Sequence, residues 1–359
     1  MMKRLFLIPV IALLCLVTMG AKEKKSSGKR QVQVYGVAFY NLENLFDTIN
    51  NNGKYDLEFS PAGARQWDGK KYWSKINNLA DVITHMTSPT TPNGPAVIGV
   101  SEIENKSVLD DLVKAVDDKL QAEGRATWNL QVVHHDSPDR RGVDVACLYN
   151  PRQFRMLDVT NTTLRIPNYE SFRTRDQMCV TGILGGDTVS VIVNHWPSRI
   201  GGQEQSSYLR EAAGALSKEI ADSLWRIRPN QGVIVMGDLN DDPHDKSCAV
   251  ALGAKKDIDD VAPHGFYNPW WKILDKGIGT LAYKGQWNLF DQIIVSGTLL
   301  KRNGATVYYN NAKVNNFDFL RDTEGQRQGY PRRTFSAGVW LDGYSDHYPT
   351  EIFLVKERK

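Results

Sequence analysis

Apolar positions recur along this chain in two rhythms, one of period two and one of helical spacing. Residues 31–44, QVQVYGVAFYNLEN, alternate polar and apolar and then turn apolar, as a strand entering a core does. Within residues 73–86, Ile76, Leu79, Ala80, Val82 and Ile83 fall at helical spacing, and residues 108–120 form a second amphipathic helix. Between them, residues 96–105, AVIGVSEIEN, read as a buried strand that ends in carboxylates. Further strands are predicted at 128–133, 143–149, 154–159, 177–184 and 188–194. The longest predicted helix is 203–225, followed by strands at 232–238, 289–296 and 347–355. Strands outnumber helices, and helices interrupt the strand series in two separate places. That order predicts an α+β fold with two mostly antiparallel sheets packed face to face and helices outside.

The first 21 residues change the picture at one end. Lys3 and Arg4 precede an apolar run, residues 5–17, and a small-residue exit at Gly20-Ala21. This is the pattern of a secretory signal peptide, and the apolar run falls short of the roughly 20 residues that span a bilayer. Export to the periplasm or the medium is the expectation. Cys15 raises lipoprotein anchoring as a second route, although Leu14 before it fits that processing poorly. Residues 22–30, KEKKSSGKR, read as a disordered basic linker, and residues 31–359 as a single catalytic domain. Beyond Cys15 the cysteines are Cys147, Cys179 and Cys248, with no CxxC spacing, which argues against a disulfide framework or a zinc knuckle. The formal charge of +3 neither announces nor excludes a nucleic-acid binder.

Polar residues of a few kinds collect where the predicted strands end: Asn41 and Glu43, Glu102, Asn194 and His195, Asp238 and Asn240, Asp291, Asp346 and His347. Taken singly, each has a bland explanation as a turn former, a cap or a solvated charge. Together they share one design, because strand ends converge on one edge of a sandwich. Carboxylates and carboxamides with few thiols suit magnesium, manganese or calcium rather than zinc. Histidines backed by aspartates suit acid–base work near neutral pH.

The segments YNLENLFD, VSEIEN, VNHWPSR, VMGDLNDDP, WNLFDQIIVS and YSDHYPTEIF resemble, in this order, the motifs of the endonuclease/exonuclease/phosphatase superfamily. The resemblance runs from about Val34 to Leu354. It implies a four-layer αββα sandwich and hydrolysis of phosphate esters that depends on a divalent metal, Mg2+ first, with Mn2+ or Ca2+ as alternatives. Matched by motif, Glu102 falls on the principal metal-binding glutamate, and Asn41 on the asparagine that organises that site. Asp346 falls on a further carboxylate that ligates metal or orients the neighbouring ring. His347 falls on the histidine that activates water or contacts the scissile phosphate, and Asp291 on its orienting aspartate. Asp238 and Asn240 match the pair that positions the attacking water and holds phosphate oxygens. His195 matches the histidine that stabilises the transition state or protonates the leaving group. Glu43 stands where many family members have aspartate, and its longer side chain is taken as a possible reach to a second metal position.

Arginines near loop ends are candidates for phosphate recognition. Arg173, Arg175 and Arg199 are assigned to substrate phosphate, while Arg332-Arg333 reads as solvated surface charge. Phe266, Tyr267, Trp270, Trp271 and Trp287 read as packing rather than as base-stacking platforms. A monomeric nuclease is the leading reading, with nucleic acid as substrate and no obligate protein partner. A phosphodiesterase or phosphatase acting on a phospholipid or a small phosphorylated molecule is the alternative. A non-catalytic binding protein on the same fold is the third, disfavoured because the acid–base set is intact.

Overall fold

A computed structural model describes residues 31–49 and 58–357 of the chain, so the predicted signal peptide and linker lie outside the described residues. In chain order the elements are β1 (Val32–Leu45), α1 (Gly69–His85), β2 (Val97–Ile103), α2 (Lys106–Ala122), β3 (Gln131–His134), β4 (Asp144–Tyr149), β5 (Phe154–Thr162), β6 (Gln177–Leu184) and β7 (Asp187–His195). Then come α3 (Gln203–Ile227), β8 (Gly232–Asp238), β9 (Ala254–Lys255), β10 (Phe266–Tyr267), α4 (Trp270–Leu274), β11 (Leu281–Tyr283), β12 (Gln286–Asn288) and β13 (Asp291–Ser296). The chain closes with β14 (Tyr308–Val314), β15 (Phe335–Ser336), β16 (Val339–Trp340) and β17 (Thr350–Glu357).

Among the described residues the strands build two large sheets. One runs β14-β17-β1-β2-β4-β3 and the other β5-β6-β7-β8-β13-β10-β9. Most pairings are antiparallel. The central pairs β1–β2 and β7–β8 are parallel, and α1 and α3 cross over between their strands. Three apolar clusters separate the layers. The first packs α1 and α2 onto the first sheet, the second lies between the sheets, and the third packs α3 onto the second sheet. The result is the four-layer αββα sandwich.

Local chemistry explains the outer helices. On α1, Tyr72, Ile76, Leu79, Ala80 and Ile83 form the buried stripe, and the Asp68 side chain caps the start by accepting the Lys71 N–H at 3.0 Å. On α2 the cap is Asn105, which accepts the Val108 N–H at 3.2 Å. Where the sheets face each other, β2 carries Gly99. A Cβ there would stand 2.4 Å from the Met236 sulfur of β8 and 3.1 Å from Phe39 and Val193, so a larger residue would force the facing side chains to shift.

Two boundaries differ from the sequence reading in ways that matter for the site. β17 begins at Thr350, so Asp346 and His347 occupy the turn before it rather than the strand itself. β1 continues past Asn41 and Glu43 to Leu45 through an irregularity in its pairing with β2. There Glu43 and Asn44 adopt left-handed backbone, with φ of 47° and 53°. Such a bulge breaks strict alternation, so a period-two pattern cannot anticipate it.

Candidate active site

Strand register brings the predicted residues together at one edge. Across the second sheet, His195 on β7 pairs with Asp238 on β8, and Asp238 pairs with Asp291 on β13, so three neighbouring strands present their polar ends side by side. Gly237 makes room for this: with φ of 155°, a Cβ there would lie 2.2 Å from the Asn194 carbonyl oxygen. On the first sheet, β1 supplies Asn41 and β2 supplies Glu102. The turn before β17 is tied to β1 by the Ser345 hydroxyl, which donates to the Asn41 carbonyl at 2.7 Å and accepts the His347 N–H at 3.1 Å.

The links between the sheets are hydrogen bonds among these side chains. Asn41 Nδ2 donates to Asp238 Oδ2 at 3.1 Å, across the interior of the sandwich. His347 Nδ1 meets Asp291 Oδ2 at 2.7 Å, and its Nε2 lies 3.9 Å from both Asp238 Oδ2 and Asp346 Oδ1. His195 Nε2 stands 3.5 Å from Asp238 Oδ2 and 4.0 Å from Glu102 Oε1. The Asn240 backbone N–H donates to Asp238 Oδ1 at 3.0 Å, and the Asn240 carboxamide donates to the Trp196 carbonyl at 3.0 Å. Glu102 and Asn240 are both left-handed, with φ of 60° and 52°, so strain in non-glycine backbone concentrates here.

The environment separates the two histidines. Burial opposes a charge on His347, but Asp291, with Asp238 and Asp346, outweighs it and holds the ring's pKa well above the ordinary histidine range. His195 moves the other way, lowered by burial and then by Arg175, Arg141 and His347. Burial lifts the Asp238 carboxyl to about 6, with Asp291 adding to the effect and His347 opposing it. For Asp346, burial is outweighed by His347, Arg333 and Lys75, and its pKa lies below the usual aspartate value.

The structure also shows partners that the sequence reading did not assign. Arg333, read as solvated charge, bridges the site: its Nε meets Glu43 Oε1 at 3.2 Å and its Nη2 meets Asp346 Oδ2 at 2.8 Å. Arg141 Nη1 faces Glu102 Oε1 at 3.4 Å, and its Nη2 donates to Asn44 Oδ1. Lys75, fully buried on α1, donates to Thr334 Oγ1 at 2.6 Å and to the Tyr344 carbonyl at 2.5 Å, which latches the segment carrying Arg333 and Asp346. Burial lowers its pKa to about 8 against the pull of Glu43, Asp346 and Glu102. An arginine pair just before a predicted strand, Arg140-Arg141 ahead of residues 143–149, was the available signal; a lysine within the buried stripe of an amphipathic helix offered none.

The arginines assigned to substrate turn to other partners. Arg175 is buried and donates to the carbonyls of His195 (3.1 Å) and Trp196 (2.8 Å), with Asp139 at 3.2 Å, so it holds the end of β7 rather than facing outward. Arg199 donates to the Asn240 carbonyl at 2.8 Å and pairs with Asp241 and Asp245, which clasps the loop after β8. Arg173 folds onto the carbonyls of Glu170 and Phe172 in its own loop. Local sequence places these residues near the motifs but cannot show which way a guanidinium turns.

Both Glu43 oxygens are occupied, one by Arg333 and the other by the Thr334 N–H at 2.7 Å. Glu102 has more capacity, since its Oε2 accepts the Asn44 N–H at 3.0 Å while Oε1 has only long contacts, to Arg141 at 3.4 Å and to His195 Nε2 at 4.0 Å. Among the described residues, Asp291 Oδ1 is buried without a hydrogen-bond partner. The carboxylates of Glu43, Glu102, Asp238, Asp291 and Asp346 outnumber the cations Arg141, Arg333, Lys75 and His347 around them. A hard-oxygen donor set with surplus negative charge fits a divalent ion of the magnesium type.

The sequence matches the profile of the Endonuclease/Exonuclease/phosphatase family over residues 36–356. No curated protein sequence matches it. Among solved structures, an endonuclease/exonuclease/phosphatase family protein from Bacteroides thetaiotaomicron is 16% identical with a TM-score of 0.53, covering 91% of this chain and 97% of that one. A mannosyl-6-phosphatase from Bacteroides thetaiotaomicron is 17% identical with a TM-score of 0.52, covering 89% and 99%. D. rerio TDP2 complexed with a single-strand DNA product is 13% identical with a TM-score of 0.50, covering 89% and 98%. At these identities the likeness is one of fold.

Proposed function

We propose, from the premise that this chain belongs to the endonuclease/exonuclease/phosphatase family of metal-dependent phosphoester hydrolases, that it is an exported nuclease cleaving phosphodiester bonds by in-line attack of water. The observation that carries the reading is the convergence of His347–Asp291, His195, Asp238 and Glu102 at one edge of the sandwich. Glu102, with Asn41 and Asp346, would hold the divalent ion, which supplies Lewis-acid polarisation of a phosphoryl oxygen when bound. Glu43 acts one step further out, fixing Arg333 against Asp346.

The side chains divide the remaining work. Asp291 accepts the Nδ1–H of His347 and so turns Nε2 toward the reaction space. A protonated His347 can bind a phosphoryl oxygen and stabilise the charge that builds on it. Asp238, with its pKa lifted to about 6, is a stronger proton acceptor for the attacking water than an ordinary aspartate. The nitrogen of the Asn240 carboxamide is spent on Trp196, which leaves its oxygen to orient that water. His195 stays neutral and donates one N–H to the phosphate. Arg141, partly exposed beside Glu102, reaches a non-bridging oxygen.

The charged start, apolar run and small-residue exit of residues 1–21 support export. A phosphatase acting on a small phosphorylated molecule is the second reading, favoured by the shared fold of the mannosyl-6-phosphatase. Hydrolysis of bis-p-nitrophenyl phosphate and plasmid DNA, with and without magnesium, tests the phosphodiesterase chemistry and the nuclease reading. Cleavage of both, lost with chelator and in Glu102→Ala, is the expected result. Cleavage of the small ester alone overturns the nuclease and leaves the hydrolase.

A further inference from the structure

Beside the catalytic edge lies a pocket of about 210 Å3 walled by Glu43, Asn44, Arg65, Arg333 and the turn of the β15–β16 hairpin. It shares Glu43 and Arg333 with the network that holds Asp346, so a group seated in it lies next to the ester being cleaved. Two arginines line this small volume against one carboxylate, Glu43, whose oxygens are already taken by Arg333 and the Thr334 N–H. Both are held in place. Arg65 lies against two rings, its Cζ 5.8 Å from the centroid of Phe59 and 5.1 Å from that of Phe335. Its carboxylate neighbour is Glu58, 3.4 Å away on a half-exposed side chain, a contact worth little. That contact is made by Nε, which is buried and has no other partner among the described residues. Arg333 spends Nε on Glu43 and Nη2 on Asp346, which leaves Nη1 outside both ion pairs. The hairpin wall turns through Ala337 and Gly338, both left-handed with φ of 48° and 82°, the tight form that fixes two short strands.

We propose that this pocket is a subsite for a second anionic group of the substrate, one ester unit from the bond that is cleaved. The inference rests on the reading of the adjacent edge as a phosphoesterase site. The anion has two sources, the next phosphate of a nucleic-acid strand or the second phosphate of a small bisphosphate. In either case the flanking guanidinium groups supply charge-assisted hydrogen bonds.

The test is calorimetric binding to the full chain with magnesium present, in a His347→Ala background so that no ligand turns over. Thymidine 3′,5′-bisphosphate is compared with thymidine 5′-monophosphate, and glucose 1,6-bisphosphate with glucose 6-phosphate. In at least one pair the bisphosphate binds about tenfold tighter, the worth of one charge-assisted hydrogen bond. Arg65→Met erases that ratio and leaves the monophosphate affinity unchanged. This variant keeps the apolar stem against the two rings, and Arg65→Lys, which restores the charge, recovers part of the preference. A preference confined to the nucleotide pair assigns the group to nucleic acid; one confined to the sugar pair assigns it to a small molecule. Equal or undetectable affinity within both pairs, or a ratio that Arg65→Met leaves standing, overturns the subsite. Failure of the phosphoesterase reading looks different: the wild-type chain then cleaves no phosphate ester with any metal, while the binding ratio persists.

Discussion

Replacing Asp291 by asparagine removes one charge at the centre of the site and little else. Asp291 is fully buried, and its Oδ2 accepts the Nδ1–H of His347 at 2.7 Å. Asparagine has nearly the same shape, so the cavity and the β8–β13 register are kept. What is lost is a short hydrogen bond to a charged partner, worth about 1.5–3 kcal/mol. At 1.36 kcal/mol per decade of rate, that predicts a fall in kcat of about ten- to 150-fold. The new amide can also present its N–H to the ring and turn it to the wrong tautomer, which acts in the same direction. Steady-state hydrolysis of bis-p-nitrophenyl phosphate under saturating magnesium measures the change, with a melting curve to show that the variant is folded. The magnesium concentration giving half-maximal rate stays the same, because the metal is assigned to Glu102, Asn41 and Asp346. A folded Asp291→Asn protein with kcat within about threefold of wild type would refute the role given to the His347–Asp291 pair.

Other substitutions separate the remaining roles. Glu102→Gln lowers activity by about a hundredfold or more and abolishes the rise in melting temperature that magnesium gives the wild-type protein; an unchanged magnesium shift sinks the ligand assignment. Arg175→Met leaves Asp139 buried without its cation and costs about 3–5 kcal/mol of stability in urea unfolding, with KM unchanged. A rise in KM at constant stability instead restores Arg175 as a phosphate contact. Glu351, buried in β17, has its carboxyl held above the usual value by burial, with Lys313 and Asn315 opposing. A raised folded pKa means its contribution is fully present below the unfolded value and is lost as pH rises through the folded one. Glu351→Gln therefore raises the melting temperature at pH 7 more than at pH 4, and an equal shift at both refutes the assignment.

Much of the fold was legible in the chain because its signals are local. Apolar runs at 96–105 and 232–238 and helical spacing at 73–86 each depend on neighbours within a few positions, and each appears as the corresponding strand or helix. The motif residues share one edge for a similar reason: strands that end in polar groups place them at the same end of the sheets. Tertiary structure alone decided which charges meet. The pairing of His195 with Asp238 and of Asp238 with Asp291 is a matter of register between strands far apart in sequence. Arg333 and Lys75 reach the site from a late loop and an outer helix, and nothing in their surroundings marks them. Arg175 and Arg199 lie beside motifs yet turn to backbone carbonyls, because buried carbonyls left by the ends of β7 and β8 needed donors. Sequence determined which chemical groups this protein carries and the elements that hold them. The direction of each long, flexible cation was decided only when packing closed the space around it.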